Sequence, residues 1–454
     1  MNKLKTVYTC QNCGAESPKW IGRCPSCDQW NTYVEEIVAS TSKSASPSLT
    51  SAGSPPLRLS EIADLHLDRL DTGIAEFNRV LGGGLVPGSL VLIGGEPGIG
   101  KSTLVLQLAL SLKGKKILYA SGEESLQQIK LRANRLKMES KGSWFLAETS
   151  LEMVMHTVEQ EKPDILVVDS IQTMATDKIE SSPGSVAQVR ECTAVLLRHA
   201  KKYHMTVILI GHINKEGNLA GPKVLEHIVD TVIQFEGDNR HYFRVLRSTK
   251  NRFGSTAELG IFEMRQNGLV EVPNPSDHLL SGDGDPVSGT AIAATIEGVR
   301  PFLLEIQSLV SSAAYGMPQR SSTGFDLRRL NMLLAVLEKR AGFKLTSRDV
   351  FLNVAGGLRI TDPATDLAVL VAILSSSLDL SVDHHTCFTG EAGLTGEVRA
   401  VSRIEQRIAE AARLGFRRMF IPRYNKGFDT SAYPLEIIRV ARVEEVFRKL
   451  FGNK

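Results

Sequence analysis

Residues 90–102 read Leu-Val-Leu-Ile-Gly-Gly-Glu-Pro-Gly-Ile-Gly-Lys-Ser, and their pattern decides the fold. The apolar run into Gly94 predicts a buried strand. Gly95-Glu96-Pro97-Gly98-Ile99-Gly100-Lys101-Ser102 then fits G-x-x-x-x-G-K-[ST], and the apolar stretch from Thr103 to Leu112 predicts a helix. In such a loop glycines let backbone N–H groups wrap phosphates, and the helix N-terminus adds positive potential. Lys101 is placed to reach the β and γ phosphates, and the Ser102 hydroxyl to ligate Mg²⁺. Residues 95–103 are therefore the expected nucleotide-binding residues, with ATP and Mg²⁺ as ligands.

Working outward, short β-branched runs alternate with helical patterns as far as Val272. Strands are expected at 90–95, 116–121, 144–148, 164–170, 206–212 and 231–236, with a helix at 184–203. Alternation of this kind gives βαβ units and a mostly parallel α/β sheet. The stretch 242–250 is expected to turn back antiparallel on the strand before it.

The partners of a nucleotide hydrolase stand at strand ends. Asp169 closes one apolar strand, where a carboxylate can hold Mg²⁺ through water. Glu123 and Glu124 follow another, and either can act as general base for an attacking water. His212 closes a third and is in place to sense a γ-phosphate. Each also has a plainer reading, as a helix cap or a polar strand end.

Cys10-x2-Cys13 and Cys24-x2-Cys27, with ten residues between the pairs, can present four thiolates tetrahedrally to Zn²⁺. So small a module cannot build its own core, so the metal would supply folding energy. Lys19, Trp20, Arg23 and Trp30 offer nucleic acid a cationic, stacking surface, or else the tryptophans pack the knuckle. Cys192 and Cys387 read as ordinary buried thiols.

Composition bounds the function classes. With 42% hydrophobic and 23% charged residues, the 454-residue chain has the makings of packed cores, about two to four of them. Fifty-three Lys and Arg against 50 Asp and Glu give a net charge of +3, which excludes a global polyanion-binding field. No apolar run is long enough for a membrane span, and the N-terminus lacks a secretory h-region. A cytoplasmic protein is expected. The Ser, Ala, Thr and Pro of 36–56 read as a linker, and 274–288 as a second. These divide the chain into a zinc module (1–35), an ATPase domain (57–273) and a C-terminal domain (289–454).

The order of these elements resembles the RecA-type P-loop ATPase core, in its hexameric replicative-helicase branch. Lys250-Asn251-Arg252-Phe253-Gly254 follows the late antiparallel strand, and the four-Cys module precedes the core. With the C-terminal region, they make the chain resemble the bacterial RadA (Sms) family of DNA recombination and repair ATPases. That resemblance implies a homo-hexameric ring binding single-stranded and branched DNA, helicase-type branch migration, and cooperation with the strand-exchange recombinase RecA. It also implies that Lys250 and Arg252 act on a neighbouring subunit's nucleotide, as spreading phosphoryl charge would favour. DNA contacts are expected from 174–187 and 213–224, with Lys178, Lys215 and Lys223.

Residues 289–454 resemble the proteolytic domain of the Lon family, which uses a Ser–Lys dyad. Here Ala364 stands at the nucleophile and Glu405 at the lysine, and a methyl group cannot attack a carbonyl. The implied role is assembly and a possible DNA surface around Arg328, Arg329, Arg417 and Arg418, which equally read as a solvated rim. The rival functions are an ATP-dependent Lon-like protease and a clock-type RecA-fold ATPase regulator.

Overall fold

The computed structural model describes residues 4–10, 15–26, 28–39, 58, 68–139, 142–212, 224–237, 243–280, 285–313 and 317–452. The chain divides into two compact units. The first is Met1–Glu236, Val245–Thr256 and Met264–Glu271; the second is Gly237–Arg244, Ala257–Glu263 and Val272–Lys454. The boundary expected at 273 is thus not a single cut, because two short pieces before it pack with the second unit.

Most strands of the first unit belong to a nine-stranded sheet, which also takes in Phe243–Arg244 and Leu259–Glu263. Its order runs Gly268–Glu271, Leu259–Arg265, Phe243–Asn251, Thr231–Glu236, Leu90–Gly95, Thr206–His212, Ile165–Asp169, Ile117–Ser121, Ser143–Ala147. The last six in that order are mutually parallel, and Phe243–Asn251 runs antiparallel to Thr231–Glu236, as the sequence predicts. The strands Leu90–Gly95, Ile117–Ser121 and Ile165–Asp169 are buried along their whole length, as strands of a sheet covered on both faces are. Leu92, Leu118, Val168 and Leu209 meet Val189 and Leu196 of the helix Val186–Tyr203 in one core. Ser125 and Gln128 close a capping box on the helix Leu126–Leu136, and Ser150 and Ser185 cap the next two. Parallel strands put all their C-terminal ends on one edge, where the functional loops lie.

The N-terminal module is a three-stranded antiparallel sheet, with Leu4 opposite Ala39 and Cys10 opposite Tyr33. Its last strand runs Tyr33–Ala39, so residues 36–39 belong to the module and not to the linker expected there. Ladder pairing outweighs the falling apolar content at that end. Residues 40–57 lie outside the described residues.

The second unit holds a seven-stranded sheet, ordered Arg320–Thr323, Arg348–Val354, Arg300–Ser312, Thr290–Glu297, Thr386–Phe388, Arg418–Pro422, Glu436–Val440. The helix Asp366–Leu378 is buried on every side from Leu367 to Leu374, which suits its unbroken apolar run. The linker expected at 274–288 begins too early. Ser276–Leu279 form a helical turn whose Ser276 and Leu279 are buried, and the Ser276 hydroxyl accepts the Leu303 N–H. Residues 281–284 lie outside the described residues. Among those described, no helix is long and apolar enough to cross a membrane.

Candidate active site

The phosphate loop follows its strand as expected. Gly98 and Gly100 take φ values of +78° and +120°, which only glycine adopts freely. Nothing lies within 4 Å of a Cβ placed on Gly98, so the loop stands open over its backbone. Glu96 and Pro97 are exposed, while Ile99 is buried and anchors the loop from below. The helix Lys101–Ser111 starts at Lys101.

Lys101 is 3% exposed and folds back over the loop. Its Nζ donates to the carbonyls of Gly95 at 2.9 Å and Glu96 at 2.8 Å, and lies 3.4 Å from His212 Nδ1. Burial lowers its pKa to about 8, against the opposing pull of Asp169 and Glu123. The ammonium thus waits on weak carbonyl partners where phosphate oxygens would be stronger ones.

Glu123 and Glu124, adjacent in sequence, go to different places. Glu123 Oε1 lies 2.9 Å from His212 Nε2 and accepts the Ser170 hydroxyl. The His212 hydrogen bond, more than any other contact, lowers its pKa to about 2. Glu124 is paired with Arg132 on the following helix. Lys101, His212, Glu123 and Ser170 therefore form one connected set, and Glu124 stands outside it.

Asp169 is buried. Its Oδ2 accepts the Tyr119 hydroxyl at 2.5 Å, and its Oδ1 has no hydrogen-bond partner among the described residues. Burial pushes its pKa up, against the Tyr119 and Ser102 hydroxyls, which pull it down. A buried carboxylate oxygen without a donor, near a serine hydroxyl, fits a hard divalent cation such as Mg²⁺. Ser102 and Asp169 would hold such an ion, which would neutralise phosphate charge.

Lys250 and Arg252 are far from this loop in their own chain. Gly95 pairs with Phe235, Val91 with Thr231, and Thr231 in turn with Asn251. The pentapeptide therefore lies at the other end of the strand, roughly 13 Å away along it. Lys250 Nζ donates to the carbonyls of Glu226 at 2.6 Å and Val229 at 2.8 Å. Arg252, 54% exposed, has its Nη1 3.3 Å from Asp230 Oδ1. Asp230 is buried and also takes Lys201 at 2.9 Å and the Leu90 N–H at 3.1 Å. Sequence reasoning missed Asp230, whose only trace was its place directly before a strand.

Of the two expected DNA segments, 213–223 lies outside the described residues, with Lys215 and Lys223. The other, 174–187, is held in part by Gln188 of the following helix. Gln188 Nε2 donates to the carbonyls of Thr176, Ile179 and Ser181. Cys10 and Cys24 are both buried; the Cys10 N–H donates to Ala15 O and the Cys24 N–H to Gln29 O. Cys13 and Cys27 lie outside the described residues, and among those described no three metal ligands converge. Two buried thiols, each the first of a C-x-x-C pair in the sequence, are the donor chemistry Zn²⁺ takes.

In the second unit Ala364 is buried and Glu405 is exposed. The inward position two residues on belongs to Arg407, 1% exposed, whose Nη1 meets Asp362 Oδ2 at 2.7 Å and Ala294 O at 2.8 Å. Arg329 is not part of a free basic surface, because it grips buried Asp366; Arg418 pairs with Asp383 at 3.1 Å. Arg328 and Arg417 are exposed.

Comparison with known proteins bears on each part. Residues 70–272 match the family model described as the KaiC ATPase, and 8–35 the zinc-ribbon model described as a rubredoxin metal binding domain. Residues 315–425 match the model described as subunit ChlI of Mg-chelatase, a description that names no protease. The DNA repair protein RadA of Bacillus subtilis (strain 168) is 50% identical over 458 residues, covering 100% of both chains. That of Listeria monocytogenes serovar 1/2a is 49% identical over 449 residues, covering 98% of both. Among solved structures, a KaiC-like protein from Pyrococcus horikoshii OT3 aligns with a TM-score of 0.39 at 20% identity, covering 46% of this chain and 100% of its own.

Proposed function

The chain belongs to the family of the DNA repair protein RadA, and from that premise we propose a DNA-dependent ATP hydrolase that works as a ring-shaped motor on single-stranded DNA. Its task is recombinational repair in the cytoplasm, processing or branch-migrating recombination intermediates beside the strand-exchange recombinase RecA.

One observation carries the motor reading. Lys101, Glu123, Asp169 and His212 gather at one end of the sheet, while exposed Arg252 stands at the other. A subunit cannot bring its own Arg252 to its own phosphate loop; stacking subunits head to tail in a hexamer supplies a neighbour's. Lys101 takes the β and γ phosphates, Ser102 and Asp169 would hold Mg²⁺, and Glu123 orients the attacking water. His212 touches both Lys101 and Glu123, so it registers whether a γ-phosphate lies between them. Lys250, spent on two carbonyls, sets the loop from which Arg252 projects.

The second unit serves assembly and DNA contact in this scheme. A proteolytic role has no nucleophile at Ala364 and no ammonium at Glu405. A clock-type regulator would share the ATPase core but would have no need of DNA. ATP turnover measured with and without single-stranded DNA tests the proposal, together with unwinding of a labelled branched substrate. Turnover indifferent to DNA would overturn it.

A further inference from the structure

The zinc-ribbon module carries two large aromatic side chains that its own fold does not use. Trp20 is 55% exposed and Trp30 is 68% exposed, in a module whose core is Cys10, Cys24 and Tyr33. Packing of the knuckle, the plainer reading of these residues, leaves more than half of each exposed. Both rings border one bare backbone position: a Cβ placed on Gly22 would stand 3.7 Å from the Trp20 ring and 3.8 Å from the Trp30 ring. The Arg23 guanidinium sits 5.8 Å over the Trp30 ring centroid. Its partner Asp28, at 3.3 Å, is itself 74% exposed, so that pair is worth little and Arg23 can exchange it for a phosphate.

We infer that Trp20 and Trp30, with Arg23 and Lys19, form a stacking platform for unpaired bases of single-stranded DNA. The inference rests on the DNA reading above and adds the place and the manner of contact. The surroundings favour this ligand over an apolar protein surface. The two indoles lie side by side over Gly22. Beside the apolar Ile21 and Val34, the exposed residues around them in sequence include Lys19, Arg23, Ser26, Asp28, Gln29 and Asn31, so cations and polar groups edge the ring faces as a nucleic-acid platform requires. Indole faces and a guanidinium plane suit the faces of bases, which every base presents whatever its sequence. In a duplex those faces are covered by neighbouring base pairs, so the platform selects single strands.

Tryptophan fluorescence reads the contact directly. The chain has three tryptophans, so Trp144→Phe in the full-length protein leaves Trp20 and Trp30 as the only reporters. Oligo-dT should quench their emission, and neither a duplex of equal length nor ATP alone should do so. Replacing both with alanine should weaken oligo-dT binding about five- to a hundred-fold, as loss of base–aromatic stacking does, with duplex affinity and zinc content unchanged. Replacing both with phenylalanine should restore most of the affinity, since phenylalanine also stacks. Labelled-oligonucleotide anisotropy separates the two levels of inference. Oligo-dT bound without quenching, or bound by the alanine variant at parental affinity, removes the platform and leaves the DNA reading standing. No binding of oligo-dT by the parent removes both.

Discussion

The Glu123 carboxylate and the His212 ring share a contact of 2.9 Å, and that contact separates Glu123 from its neighbour Glu124. His212 also faces Lys101 at 3.4 Å, so one imidazole spans the gap between the phosphate-loop ammonium and the carboxylate. A γ-phosphate entering that gap would compete for both ends.

Glu123→Gln should therefore retain ATP binding and lose turnover by about 10²–10⁴-fold, the usual worth of a positioned acid–base group. Glu124→Gln, which breaks only the Arg132 pair, should stay within a few-fold of the parent. His212→Ala removes the largest influence lowering the Glu123 pKa from 4.5 to about 2. The parent should show no acid limb from Glu123 at mildly acidic pH, and the variant's limb should rise toward the ordinary carboxylate range. Steady-state pH–rate profiles check both.

Lys101 gives a second pH signature. Its burial lowers its pKa from 10.5 to about 8, so without nucleotide it is partly neutral at pH 8. Phosphate oxygens favour the charged form, so ATP binding at that pH should take up about half a proton, and affinity should fall as pH rises further. Calorimetric titration in buffers of different ionisation enthalpy measures the uptake, and Lys101→Ala should abolish it along with turnover. Stability of the nucleotide-free protein follows the same linkage. The unfolded chain holds this proton up to about pH 10.5 and the folded chain only to about 8. The Lys101 contribution should therefore make unfolding harder as pH rises across that window.

Much of this was legible in the sequence because the phosphate loop and parallel strands are local patterns. Gly95 to Ser102 must be contiguous to wrap a phosphate, and each buried strand declares itself by unbroken apolar residues. Pairings across long separations were not legible. Nothing near Glu123 indicates that His212, 89 positions away, would select it over Glu124. Arginine counts mislead for the same reason: Arg329 looks like surface charge until Asp366, 37 positions on, is found buried beneath it. Composition also marked module ends poorly, since Tyr33–Ala39 is held by ladder bonds rather than by apolar burial.

Arg407 and Asp362 make a pair of that unreadable kind, with Arg407 1% exposed and Asp362 11%. Arg407→Ala leaves a mostly buried carboxylate without its cation, though still accepting the Thr295 hydroxyl and the Ile296 and Ala364 N–H groups. The change should destabilise the second unit by about 3 kcal/mol. Replacing Ala364 with serine and Glu405 with lysine together should yield no peptidase activity while this pair remains, because Arg407 fills the inward position. Thermal unfolding and a casein-degradation assay check the two halves.

The zinc module should hold one metal through Cys10, Cys13, Cys24 and Cys27. Cys24→Ser removes a thiol that is wholly buried, and should cost the module both its zinc and its folded sheet, since so few apolar residues remain to support it. Metal analysis showing full zinc in this variant would move the ligands elsewhere.

Arg252 offers the sharpest test, because geometry already separates it from its own phosphate loop. Its contact with Asp230 is dispensable to that carboxylate, which keeps Lys201 and the Leu90 N–H when the guanidinium swings away. Arg252→Ala should thus fold and bind ATP through Lys101 and Ser102, yet hydrolyse it about 10³–10⁵-fold more slowly, the typical cost of losing an arginine finger. Mixing tests the direction of action. Lys101→Ala subunits have a dead pocket and a live finger; Arg252→Ala subunits have the reverse. Where a live finger meets a live pocket the site is whole, so mixed rings should regain activity that neither variant shows alone. An arginine acting within its own chain predicts no recovery at any ratio. Subunit exchange is shown first by tagged pull-down, so that absent recovery counts against the trans assignment rather than against mixing.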